Sequence, residues 1–142
     1  MQEEIRTIQK DAKKACSILK INDIRFHKFP DNEMDSLPLL KIVKTIECEI
    51  NDMNPDRIYT HHYGDLNVDH RIIYNATLTA CRPFNSSLTD LICFEVASST
   101  EWNFVRSDIF RPNFFNQINS DDLDKKLKAM KSYKSEVREF PH

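Results

Sequence analysis

Apolar residues at Ile5, Ile8, Ala12, Ala15 and Leu19 recur at helical spacing, so residues 3–20 are predicted to form a helix. The run "DIRFHKF" (23–29) then alternates polar and apolar positions as a strand does. In "SLPLLKIVKTIECEI", Ser36 is a candidate N-cap and Pro38 suits the first turn, while Leu39, Val43, Ile46 and Ile50 share one face. A helix over 37–52 follows from that pattern. "DRIYT" (56–60) reads as a short strand after the break at Asn54-Pro55. Val68, Ile72, Ala76 and Ala80 form a stripe, which predicts a helix over 68–82 that stops before Pro83. "DLICFEV" (90–96) is a buried-strand candidate, and a loop-rich stretch with aromatics follows it. Near the end, Ser120 is read as the cap of "DDLDKKLKAMKSYKSEV", with Leu123, Leu127 and Met130 facing inward.

Helices alternating with strands imply an α/β fold with a mainly parallel sheet covered by helices. A βα series ordinarily begins with a strand, and this chain opens on a helix. The expectation is a single domain over residues 1–142 that lacks its first strand and is cut at both ends, the front cut being the more serious. Ligands of open parallel sheets bind beyond the carboxyl ends of the strands. Three polar segments fall there, "HKFPDNEMD" (27–35), "THHYGDLNVDH" (60–70) and "EVASSTEW" (95–102).

Composition narrows the chemistry. The chain has 142 residues, 40% hydrophobic and 30% charged, with a net charge of −2. Lys and Arg are scattered, so no nucleic-acid partner is expected. No stretch approaches the roughly 20 apolar residues that span a bilayer, so no membrane partner is expected either. Cys16, Cys48, Cys81 and Cys93 lie far apart without a C-x-x-C pair, which argues for free thiols in a reducing cytoplasm. The single glycine excludes a dinucleotide fingerprint and a Walker A loop, each of which needs several. Side chains must therefore supply the chemistry.

"THHYGDLNVDHRII" (60–73) holds three of the five histidines, two aspartates and that glycine. Gly64 permits a sharp turn after the strand. Asn67 or Asp65 can cap the next helix, placing Asp69 and His70 in its first turn, where free N–H groups favour an anion. His70 can offer a neutral imidazole to a metal, with Asp69 orienting a neighbouring group. His61 and His62, adjacent at a strand end, point to opposite sides, so at most one faces a given site. The ordinary reading of each is a surface histidine or a dipole partner. A catalytic zinc needs three protein ligands, which this segment alone does not guarantee.

"IYTHHYGDLNVDHRIIYNATLTACRP" resembles the second signature of the LmbE-like, PIG-L deacetylase family. The resemblance continues through "FPDN" (29–32), "FEVASSTEW" (94–102), "RPNFF" (111–115) and "YKSEVREFPH" (133–142). It implies a Rossmann-like three-layer α/β/α sandwich and hydrolysis of an acetyl group from an N-acetylated amino sugar or sugar conjugate. Water activated by Zn2+ or another divalent metal would attack the amide. On this resemblance His70 is the late histidine ligand and Asp69 the aspartate that supports it. Asn67 stands where many members have a histidine, and it cannot shuttle a proton. His61, Asp65 and His142 are then the candidates for general acid. Asp65, Glu101 and Trp102 are the candidates for contacting substrate. Glu95, Arg82, Arg111, Asp31 and Asn32 are softer candidates, each with an ordinary surface or turn role.

The family's first signature, an "H-P-D-D-E" run that supplies two ligands and the base, is absent from this sequence. The resemblance thus implies half of an active site and a chain inactive by itself. The alternative is a non-catalytic sugar- or nucleotide-binding module of the same fold that lacks the metal. A homo-oligomer is left open.

Overall fold

The computed structural model describes residues 2–82, 87–97, 99–104, 106–134 and 137. It divides into two compact units, one formed by Met1–Lys28 with Asn113–His142 and the other by Phe29–Pro112.

In the first unit, α1 (Gln2–Ile18) packs against the last helix, α4 (Ser120–Met130). Small residues make the contact: Ala12, Ala15 and Ala129 are buried. Leu123, Leu127 and Met130, expected to face inward, are instead 46–55% exposed, and Ile5 and Ile8 of α1 are exposed to a similar degree. The α4 cap is Asn119 rather than Ser120. Its side chain accepts from the Asp122 amide, and the Asp122 carboxylate accepts from the Asn119 amide in return. Residues 23–28, read as part of a strand, pair with no other strand among the described residues. Arg25 turns onto Asp23, two positions back, at 3.0 Å. Alternation alone does not hold a strand without a ladder partner.

The second unit carries the α/β part. α2 (Leu39–Met53) and α3 (Val68–Ala80) pack together, and α3 also packs on β1 (Arg57–His61). Met34, Ile42, Val43 and Ala76 form the buried core, flanked by Phe29, Leu37, Ile46, Ile72, Ile73 and Ala80. Val68, the first member of the predicted stripe, remains 44% exposed. Pro38 is the N-cap of α2, while Ser36 lies in a preceding 3₁₀ turn, Met34–Ser36. α2 ends on Asn54, which adopts the left-handed conformation (φ 44°) that Asn tolerates better than most residues.

β1 pairs in parallel with β2 (Asp90–Phe94), in register from Arg57 with Asp90 to His61 with Phe94. α3 lies between the two strands in the chain, the crossover that a parallel pair requires. Inside, Thr60 Oγ1 meets Thr77 Oγ1 at 3.4 Å and ties strand to helix. Among the described residues the sheet has these two strands. The architecture is α/β, with the carboxyl ends of both strands opening toward the first turn of α3.

Candidate active site

The turn between β1 and α3 is built by side chains that satisfy backbone groups. Asn67 caps α3, its Oδ1 accepting from the amides of Asp69 (2.8 Å) and His70 (3.3 Å). Asp65 Oδ1 accepts from the Asn67 amide at 2.8 Å. Arg71 Nη1 reaches back to the carbonyls of Asp65 and Leu66, 2.7 Å each. Gly64 does not use its freedom of φ. It is needed for close approach, because a Cβ there would overlap the Asp108 carbonyl oxygen and lie 2.8 Å from Asn103 Nδ2.

His61 and His62 diverge as adjacent residues at a strand end do. His62 is buried, takes the Gly64 amide on Nδ1 at 3.1 Å, and packs edge-on to Phe110. His61 turns the other way and stacks on His70, ring centroids 4.1 Å apart and planes within 17°. Phe94 closes the side of His61 at 5.0 Å.

His70 Nδ1 lies 3.0 Å from Asp65 Oδ2, an oblique approach outside the angles of an ordinary hydrogen bond. Asp65 is 1% exposed and sits among donors. Ser99 Oγ donates to its Oδ1, and Thr100 Oγ1 donates to Oδ2 at 3.0 Å. Burial pushes the Asp65 carboxyl up, but Ser99, the Asn67 amide, His70 and Thr100 outweigh it and hold the group below its ordinary value.

Asp69 faces elsewhere. Its carboxylate accepts from the amides of Asn32 (2.7 Å) and Met34 (3.1 Å), fastening the "FPDN" loop to the first turn of α3. Asn32 holds a left-handed turn there (φ 54°). Glu101 and Trp102 sit in a 3₁₀ turn, Thr100–Trp102; Trp102 Nε1 donates to Glu101 Oε1 at 3.2 Å, and the indole is 56% exposed. Arg82 meets Glu47 at 3.5 Å, and Arg111 and Glu95 are exposed. His142 lies outside the described residues.

The structure thus brings His61, Asp65 and His70 together, holds Asn67 beneath them as a cap, and leaves Asp69, Glu101 and Trp102 outside that contact. Ser99 and Thr100 were missed in the sequence. Their one signal was two hydroxyls just past a strand's carboxyl end.

The same geometry bears on a metal centre. Buried Nδ1 atoms of His61 and His70 lack hydrogen-bond partners, which favours some further contact. Yet imidazole lone pairs lie in the ring plane, and two rings within 17° of parallel direct them side by side rather than to one point. Among the described residues no group of three or more His, Cys, Asp or Glu is placed to hold a metal. A catalytic zinc needs three. The described residues fit one ligand's place, not a complete centre.

Burial, reinforced by the neighbouring His70, lowers the His61 pKa from 6.5 to about 4 against the opposing pull of Asp65. His62 is lowered too, by burial against the pull of Asp108 and Asp65. The unfolded chain therefore binds protons that the folded chain refuses, and folding stability falls as pH drops from about 6.5 toward 4. Because the His61 ring keeps partial access to water, its share of the expected loss is about 1–2 kcal/mol. Urea titrations of wild type and His61→Gln at stepped pH measure it. The variant should show a shallower acid slope, and equal slopes would assign the effect to other groups.

Comparison with known proteins gives the chain a family. The PIG-L family of GlcNAc-PI de-N-acetylases matches residues 2–81, more than half of the chain, and the chain belongs to that family. The chain is 26% identical over 130 residues to "Uncharacterized deacetylase YaiS" of Escherichia coli (strain K12), an alignment covering 88% of this chain and 64% of the relative. The chain thus spans a little under two thirds of that relative's length. No solved structure matches. No described helix is long and apolar enough to cross a membrane.

Proposed function

We propose that this chain carries part of the active site of a hydrolase that removes an acetyl group from an N-acetylated amino sugar or sugar conjugate. The observation that carries the reading is the His70–Asp65 pair at the sheet's carboxyl edge, in a chain of the PIG-L family. His70 would hold a zinc or another divalent ion, and the remaining ligands would come from residues other than those described. When bound, the metal supplies polarisation of the amide carbonyl and an activated water. The chain's own residues orient and enclose. Asp65 fixes the His70 ring, Asn67 holds the turn beneath it, and the apolar edge of Phe94 covers His61. Exposed Trp102 offers a face on which a sugar ring can stack, with Glu101 beside it as a hydrogen-bond acceptor for hydroxyls. The four free thiols fit a reducing, cytoplasmic setting.

The test is acetate release from N-acetylglucosamine conjugates by the protein in its full natural length, supplied with Zn2+. Chelator-sensitive release is expected. Residues 1–142 alone, whose described residues place only His70 as a ligand, should release none. Conjugate binding without any release by the full-length protein would replace this reading with a binding module.

A further inference from the structure

The segment after β2 folds back on itself, the amides of Ser99 and Thr100 both reaching the Val96 carbonyl, at 3.1 and 2.9 Å. Thr100 Oγ1 accepts from the Val96 amide at 2.8 Å and donates to Asp65 Oδ2 at 3.0 Å. A hydroxyl has one proton, so a Thr100 that donates to Asp65 meets Val96 with a lone pair, and both contacts fix its direction. Thr100 is 2% exposed. Ser99 donates to the other carboxylate oxygen, beside the Asn67 amide. Two hydroxyls and one amide thus hold Asp65 in place from two loops separated by more than thirty residues in the chain. The fourth neighbour of the carboxylate is His70 Nδ1. An ionised carboxylate only accepts, so a proton on Nδ1 is attracted to it and a lone pair there is repelled. That preference needs no linear hydrogen bond.

We propose that Thr100 and Ser99 are positioning residues which, through Asp65, hold His70 in the Nδ1–H tautomer and leave Nε2 with the lone pair. The tautomer claim stands on the geometry alone; the use of Nε2 as a metal ligand rests on the function proposed above. Imidazole ligands elsewhere are oriented by a carboxylate on their other nitrogen, and loss of such a partner weakens metal binding roughly 10–100-fold.

Long-range ¹H–¹⁵N NMR of the histidine side chains, at mildly alkaline pH, reads the tautomer directly in the 142-residue chain. Wild type should show His70 as Nδ1–H. Thr100→Val, which keeps the shape and removes the hydroxyl, should shift the tautomer ratio about tenfold toward Nε2–H, and Thr100→Ser should restore it. Should Thr100→Val fail to fold, Ser99→Ala removes one donor at a less buried position and should move the ratio in the same direction. Titration with Zn2+ alone should then perturb His70 Nε2, at about tenfold higher zinc in the valine variant. A tautomer ratio unchanged in both Thr100→Val and Ser99→Ala overturns the proposal. A shifted ratio with no zinc response at Nε2 upholds the relay through Asp65 and removes the metal role from His70.

Discussion

On the function proposed above, acetate release should fall about 10³-fold or more when His70 is replaced by alanine, with the fold retained. The loss corresponds to several kcal/mol of transition-state stabilisation, the amount a metal contributes by holding developing charge. Retention of the fold follows from where His70 sits. Its side chain is a quarter exposed, and α3 is capped by Asn67 through the His70 backbone amide, which alanine keeps. The vacated space lies against His61, whose ring loses its stacking partner. Bound zinc per chain, measured alongside activity, separates the possible causes. A fall in both assigns His70 to the metal; lost activity with unchanged zinc would assign it to the substrate instead. Full activity in the variant would remove His70 from the site.

Gly64→Ala should destabilise the second unit by about 3 kcal/mol, the upper end of what overpacking ordinarily costs. The obstacle is backbone, the Asp108 carbonyl oxygen, which cannot rotate away as a side chain does. Asn103 tightens the contact by donating to both the Gly64 and Asp108 carbonyls, at 2.7 and 3.2 Å. Relief requires moving the turn Arg106–Asp108 or giving up those hydrogen bonds. Thermal unfolding followed by circular dichroism should show the transition lowered by roughly 10 °C. A variant within a degree of wild type would mean that the two loops are not in close contact.

The same glycine shows that a position read correctly can carry a second demand. The chain turns at Gly64 after the strand, as expected, with the Asp65 amide on the His62 carbonyl, but without a positive φ. Its partners, Asn103 and Asp108, are about forty residues away, and nothing local announces them. Local signals did better. The 3.6-residue stripes found α1, α2 and α3 to within a few residues, because each helix is long enough to repeat its period several times. Alternation at 23–29 failed, because a strand is defined by a neighbour that sequence does not name. At the site, His61, Asp65 and His70 stood out as titratable residues in one short run. Ser99 and Thr100 did not, since a hydroxyl becomes informative only when the carboxylate it serves, 34 and 35 residues earlier, is seen beside it. Asp69 and Asp65 are nearly exchanged relative to expectation. The aspartate adjacent to His70 turns to the loop, and the one five residues back turns to the imidazole. One residue along a helix is about 100° of rotation, so neighbours rarely share a target.

That clasp between Asp69 and the amides at 32 and 34 closes a span of 37 residues, with α2 inside it. For folding, the span acts as a tether. Closing it costs entropy that grows only with the logarithm of its length, so added length changes the cost little. Ten residues inserted at the Asn54-Pro55 junction would lengthen the tether by about a quarter and add only about 0.2 kcal/mol to its closure. The amino end of β1, opposite the end that carries His61, is thus a place where the chain can grow while the imidazole edge stays as it is.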